Sequence, residues 1–296
     1  MKELKLIKGC GRTGNFIICL LYAITYAKKH GFEKIEFSKI HWSPNPSINK
    51  KIINDFFNKL EIFISKESNS NDVVTEFTVD KFYRRIPLSF EERIDIIKQY
   101  IKPIMNINPQ FIGDNDLVIH LRSGDIMVGG NSEMIQPPLE FYKKVIESNK
   151  WNKIYVITER EPLNPIYNVL KETYENVITF VEDKRNRQNG YNFKKDFDYL
   201  IGAKHYIPCQ SSLCPFIIQI SDTIKNVYVP SYYFISLNST YNWWTSSLFK
   251  KKDIFYIRDI KFLVYDYDKY IKSDPEMYRY NIPENKKRLL NYNSLN

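Results

Sequence analysis

From Leu117 onward the chain alternates short apolar runs with longer stretches of helical periodicity. Strands that are apolar at nearly every position are buried on both faces, and strands separated by helices pair in parallel. The pattern predicts strands at about 116–121, 153–158, 177–181, 205–209 and 226–230. It predicts helices at about 138–149, 162–175, 192–204 and 212–222. A parallel sheet wrapped by helices, a Rossmann-like lobe, accommodates that order.

The amino-terminal segment starts in the same way: a strand at about 4–8, the loop GCGRTG, an apolar helix from about Asn15 to His30 and a strand at about 34–37. It reads as half of a second such lobe. Helices are expected near 49–60 and 90–102, and SKESNSNDVV reads as a loop. The fold class is therefore α/β with two Rossmann-like lobes: 1–112, 113–235, and an extension 236–296 that would pack back on the first lobe. Ser231 to Trp244 reads as a loop returning toward that lobe.

Composition limits the function classes. With 43% hydrophobic and 15% aromatic residues in 296, the chain has material for one large core or two modest ones. A net charge of +9 raises nucleic acid as a partner, but the lysines fall in pairs and triplets along the whole chain, as solvated faces do. Helix-turn-helix, zinc-finger and RNA-recognition spacings are absent, and a small anionic partner such as a nucleotide sugar fits the charge as well. Cys10, Cys19, Cys209 and Cys214 form no CxxC pair and have no histidine at metal spacing, which argues against zinc. MKELKLIKGC is a charged strand start rather than a signal peptide, and NFIICLLYAITYA is too short to span a bilayer. The expectation is a cytoplasmic protein with reduced thiols.

Ligands of open α/β sheets gather at the carboxyl ends of the strands, where helix amino termini offer unpaired N–H groups. Three clusters fall there. In GCGRTGN, Gly9, Gly11 and Gly14 would let the backbone approach a ligand and Asn15 offers a donor and an acceptor; a glycine turn with an N-capping asparagine reads equally well. In HLRSGDI, the planar fork of Arg122 suits two phosphate oxygens, Gly124 would let the chain turn, and Asp125 would orient the loop or act as a base. His120 also reads as a buried histidine, and Arg122 and Asp125 also read as an ion pair. In PCQSSLC, Ser211 and Ser212 stand where a strand becomes a helix, as an anion cradle or as an N-cap. The D-x-D pair Asp196/Asp198 is assigned to a helix, on its surface or in an internal hydrogen bond, and Asp266/Asp268 to an exposed strand face, neither to a metal.

Taken together and in order, these clusters resemble the fucosyltransferases that carry an H-x-R-x-G-D type motif. The likeness is greatest to the α-1,2-fucosyltransferases, and the α-1,6 and protein O-fucosyltransferases are more distant. GCGRTGNFI is similar to the family's G-x-G-N-Q start, HLRSGDI to H-I-R-R-G-D-Y and CQSSLC to N-S-S-F-S, with weaker echoes in IYVITERE and DFDYLIGAKHYI. The resemblance implies a GT-B arrangement, a GDP-sugar donor, inverting transfer to a glycan hydroxyl, and no obligatory metal or other cofactor. By position, Arg122 would contact the β-phosphate and Ser211 and Ser212 would line the pyrophosphate. Gly11 and His120 belong to the same donor-binding set, Gly14 and Asn15 would reach the phosphates and sugar, and Thr158 and Glu159 would lie near the nucleoside. Arg122, Asp125 and Asn15 would be the catalytic residues, with Asp125, Glu133 and Glu159 the candidates for a general base.

The sequence departs from the family at three points: Ser123 replaces the motif's second arginine, Phe16 its glutamine, and Gln210-Ser211-Ser212-Leu213-Cys214 its N-S-S-F-S. One cation fewer leaves room for a donor other than GDP-fucose, such as a rhamnose donor, or for a nucleotide-sugar-binding module without turnover. Trp243-Trp244 would stack on an acceptor sugar or fill a core.

Overall fold

The computed structural model describes residues 2–8, 13–37, 56–64, 73–78, 90–128, 135–158, 163–179, 193–211, 213–234, 260–272 and 279–292. The chain divides into two compact units, Met1–Asn108 with Pro215–Ile220, and Pro109–Cys214 with Ser221–Asn296. Both are α/β. No helix among the described residues is long and apolar enough to cross a membrane.

The first unit contains a mixed four-stranded sheet in the order β3-β2-β1-β4, formed by β1 (Lys2–Lys8), β2 (Lys34–Glu36), β3 (Glu61–Phe63) and β4 (Val73–Thr78). β1 pairs in parallel with β2 and β4, and β3 runs antiparallel along β2. Leu4 and Leu6 of β1 are buried, two residues apart on one face of the strand. Helix α1 (Thr13–His30) makes the crossover from β1 to β2. It buries Phe16, Ile17, Leu20, Ala23, Ile24 and Ala27, the three-and-four spacing of a single stripe. The helix ends in a Schellman motif. Gly31 takes φ 66°, the Phe32 N–H donates to the Ala27 carbonyl at 2.9 Å, and the Phe32 ring meets Tyr26 at 5.9 Å. Lys28, Lys29 and His30 in the last turn suit the negative end of the helix dipole.

This unit corrects three sequence expectations. α1 starts two residues early, so Gly14 and Asn15 lie in its first turn rather than at its threshold. Val73 and Val74 open β4 instead of closing a loop. Of the helix expected at 49–60, only 56–60 are described, and there Phe57 already bridges Met105 on the way to β3. The expected helix at 90–102 is α2 (Phe90–Ile96), continued by a π turn at Ile97–Ile101 and a 3-10 turn at Lys102–Ile104.

The second unit is built on six parallel strands: β5 (Leu117–His120), β6 (Ile154–Ile157), β7 (Val177–Thr179), β8 (His205–Ile207), β9 (Asn226–Pro230) and β10 (Lys261–Tyr265). Their order is β10-β9-β8-β5-β6-β7. Every adjacent pair is parallel. Numbered from β5 and read from the β7 edge, this is the 3-2-1-4-5-6 order of a Rossmann-like sheet, and its topological switch point lies between β5 and β8. Leu117, Val118 and Ile119 are fully buried, as a central strand covered on both faces requires.

Helices α3 (Asp125–Val128) and α4 (Leu139–Glu147) follow β5, α5 (Ile166–Thr173) follows β6, α6 (Phe193–Gly202) follows β7 and α7 (Leu213–Ile220) follows β8. α7 has buried residues on every side, including Cys214, Phe216, Ile217, Ile218 and Ile220, the pattern of a helix inside a core. The five strands and four helices expected between 116 and 222, and at 226–230, all form.

The region after Tyr233 differs from expectation. β10 pairs with β9 in parallel register from Lys261↔Asn226 to Tyr265↔Pro230, so residues 261–265 extend the second unit's sheet. Ser231–Phe234 form a 3-10 turn, and the rest of Ser231–Trp244, including Trp243 and Trp244, lies outside the described residues. Asp266 and Asp268 are not on a strand. Asp266 Oδ1 accepts the Asp268 N–H at 3.1 Å, and Asp268 opens α8 (Asp268–Lys272) while accepting the Ser231 hydroxyl. The last described helix is α9 (Pro283–Asn291), which starts with a proline whose missing N–H costs nothing there.

Candidate functional site

The switch point brings the carboxyl ends of β5 and β8 together, since Ile119 pairs with Ile207 in parallel register. Beyond β5 the chain runs through Leu121, whose N–H donates to Ile157 at 2.9 Å, to Arg122, Ser123 and Gly124. Gly124 takes φ 63°, the left-handed turn expected of a glycine there. The Met127 N–H then returns to the Gly124 carbonyl at 3.0 Å and α3 begins at Asp125.

Arg122 is half-buried at this edge, near enough to Cys209 beyond β8 for its charge to favour the thiolate there. Thr158 follows β6 and Gln210 follows β8 at the same edge of the sheet. Thr158 Oγ1 and Gln210 Oε1 are buried with no hydrogen-bond partner among the described residues. Each orphaned oxygen forfeits solvation worth about 1–3 kcal/mol. Both lie at the carboxyl edge of the sheet, where a polar ligand could bond to them.

Ser123, the residue in place of the motif's second arginine, is fully buried. Its Oγ accepts the N–H groups of Leu163 and Asn164, at 2.6 and 3.0 Å. Asn164 Nδ2 donates to the Arg122 carbonyl at 3.1 Å, and Asn164 Oδ1 accepts the Ile166 N–H at 3.1 Å at the start of α5. Position 123 is thus a brace between two loops of the sheet edge and not a missing cation.

A thiol cluster occupies the other side of the switch point. His120 Nδ1 lies 3.1 Å from Cys214 Sγ, and Cys209 Sγ lies 3.6 Å from it. Tyr206 Oη and Ser211 Oγ donate to the same sulfur at 3.2 and 3.3 Å. Burial opposes a charge on Cys214, but hydrogen bonding with Cys209, the charge and hydrogen bond of His120 and the Ser211 hydroxyl outweigh it and hold the thiol well below its usual range. Burial and the neighbouring Cys214 sulfur push Cys209 the other way. Spacing along the chain concealed this group: the nearest ligand atoms of His120, Cys209 and Cys214 all lie within 4.8 Å of one another, yet His120 and Cys214 are 94 residues apart.

The sequence-derived residues are placed as follows. His120, Arg122, Thr158 and Ser211 share the sheet edge, with His120 and Ser211 turned to Cys214. Gly14 is buried in α1 of the first unit. Asn15 and Asp125 lie in the first turns of α1 and α3, and their side chains fall outside the described residues, as do Gly11, Glu133, Glu159 and Ser212. Of the two readings of the D-x-D pair of α6, helix surface or internal hydrogen bond, the structure takes the internal one. Asp196 and Asp198 are buried, and Asp198 is paired with Lys194 one turn earlier. Sequence reasoning missed Ser123, Asn164, Gln210 and both cysteines; the Cys209-x4-Cys214 spacing across a strand-to-helix turn was the available signal.

No protein-family model and no curated protein sequence matches this chain.

Proposed function

We propose that the chain is an inverting glycosyltransferase of GT-B architecture that takes a sugar from a nucleotide diphosphate, GDP-fucose being the leading donor, and transfers it to a glycan hydroxyl without an obligatory divalent metal. The observation that carries this reading is Arg122 at the switch point of a doubly wound sheet, on the same carboxyl edge that carries the buried Thr158 and Gln210. Cleaving a sugar–phosphate bond builds negative charge on the leaving diphosphate. A preorganised guanidinium at that place stabilises it as a divalent ion would. Thr158 and Gln210 would bond to donor groups through the oxygens now left over. The motif HLRSGD adds the donor class by resemblance.

The test is thermal stabilisation by GDP, GDP-fucose, GDP-mannose, UDP, UDP-glucose and dTDP-rhamnose in EDTA, on the wild type and on Arg122→Ala. A ligand at 100 times its dissociation constant adds about 2.7 kcal/mol of stability. A guanine-selective shift lost in the variant supports the reading, a uridine- or thymidine-selective shift moves it to another donor, and no shift with any nucleotide overturns it.

A further inference from the structure

We propose that His120, Cys209 and Cys214 form a binding site for a soft monovalent cation, Cu(I), held by one imidazole nitrogen and two thiolates. The inference rests on the geometry of the cluster and is independent of the nucleotide reading.

The three side chains come from rigid, mutually fixed places: the last residue of β5, the second residue after β8 and the first turn of α7. β5 and β8 are neighbours in register, so His120 and Cys209 cannot drift apart without breaking the sheet. The sulfurs are 3.6 Å apart and Nδ1 is 3.1 Å from Cys214. Thiolate sulfurs bound at about 2.3 Å to one ion stand roughly 4 Å from each other, so the cluster needs to open by less than about 1 Å to admit it.

The choice of ion follows from the donors. Thiolate and imidazole are soft to borderline ligands and select copper(I) or zinc over hard cations. Structural zinc takes four protein ligands. Among the described residues no other histidine, cysteine or carboxylate joins these three, and three is a number that suits a monovalent ion. Two thiolates and one such ion leave a single negative charge. Arg122 and the amino terminus of the eight-residue α7 lie beside it with the compensating sign.

Burial decides against a different use of the same pair. A cysteine in the first turn of a helix, hydrogen-bonded to a histidine, resembles an activated nucleophile. Both cysteines are 0% exposed, so no substrate carbon reaches either sulfur, whereas a bare ion needs only a side-chain fluctuation. Tyr206 and Ser211 already donate to Cys214, and such outer partners hold a ligand's orientation in metal sites. Binding releases two protons to solvent, the Cys209 thiol proton and the one shared between His120 Nδ1 and Cys214 Sγ, which frees the Nδ1 lone pair for the ion and leaves copper as Cu(I). No oxidant or reductant enters.

The experiment titrates reduced, metal-free protein with Cu(I) under anaerobic conditions against a chromophoric Cu(I) chelator. It uses the wild type, Cys19→Ser, Cys209→Ser and Cys214→Ser, each checked for cooperative melting. The expected result is one ion per chain for the wild type and Cys19→Ser, with affinity falling on the order of 100-fold in the other two. X-ray absorption on the loaded wild type, which needs no variant to fold, should show two sulfurs and one nitrogen around copper. Equal affinity in all four proteins, a shell with one or no sulfur, or one-to-one zinc binding at these cysteines without copper binding would each overturn the assignment.

Discussion

Ser123 and Asn164 hold each other's loops: the Asn164 N–H donates to Ser123 Oγ at 3.0 Å while its side-chain amide donates to the carbonyl of Arg122 at 3.1 Å. The carbonyl partner is the backbone of the residue whose guanidinium sits at the switch point. The loop after β5 therefore cannot move independently of the loop that starts α5.

Ser123→Ala removes the acceptor of two N–H groups, of which Asn164 is fully buried. The expected cost is about 1–3 kcal/mol for a buried donor left unsatisfied. Restoring the motif's second arginine is expected to be worse, because a fully buried serine site must then take a long charged side chain. Denaturant melts should rank wild type above Ser123→Ala above Ser123→Arg; a stable Ser123→Arg would show that the position is open after all.

Arg122 is expected to behave oppositely. It is half-buried, and the proposed role sets its charge against the leaving diphosphate. Arg122→Ala should lower turnover by about 2.7–4 kcal/mol of transition-state stabilisation while the melting temperature stays close to the wild type's. Donor hydrolysis or transfer assays beside thermal melts separate the two. Parallel loss of activity and stability would make the residue structural.

The parallel core was legible in the sequence because β5, β6, β8 and β9 are short apolar runs, and a strand buried on both faces has no other way to read. β10 was not. It is an edge strand in which only Phe262 is buried, lying beyond a lysine-rich stretch, and its partner β9 ends some thirty residues earlier. β3 is three residues long and runs antiparallel along β2, so it lacks the βα rhythm that marks the second unit. At the site, Arg122 and Gly124 were visible as a break in an apolar run. The His120–Cys214 contact was not, because it depends on β8 returning to the far side of β5, a choice set by tertiary packing rather than by any local pattern.

Two glycines should fail for different reasons. A Cβ on Gly202, at the end of α6, would stand 2.2 Å from the carbonyl oxygen of Gln110, whose N–H is itself bonded to the Asp198 carbonyl at 3.0 Å. Backbone must yield, at a cost of about 1–3 kcal/mol or more. A Cβ on Gly31 meets nothing within 4 Å, and there the cost of about 1–2 kcal/mol comes from φ 66° alone. Gly31→Asn should recover much of what Gly31→Ala loses, since asparagine tolerates the left-handed region, whereas Gly202→Asn should be no better than Gly202→Ala in the same melts.

His205 should make the second unit acid-sensitive. Its Nε2–H donates to the Asp114 carbonyl at 3.1 Å, so Nδ1 is the acceptor, taking the Asn226 amide at 3.1 Å and the Tyr228 hydroxyl at 3.2 Å. A proton on Nδ1 would set two donors against each other. Burial first, and the charge of Lys204 after it, lower the ring's pKa despite the opposing pull of Asp114. The unfolded chain then binds the proton more readily than the folded one, so stability is full above the unfolded value of about 6.5 and declines as pH falls below it toward the lowered folded value. Unfolding free energies measured between pH 7.5 and pH 5 should fall on the acid side for the wild type. His205→Gln, which keeps the side chain uncharged throughout, should flatten that decline. An unchanged slope in the variant would assign the acid sensitivity to other groups.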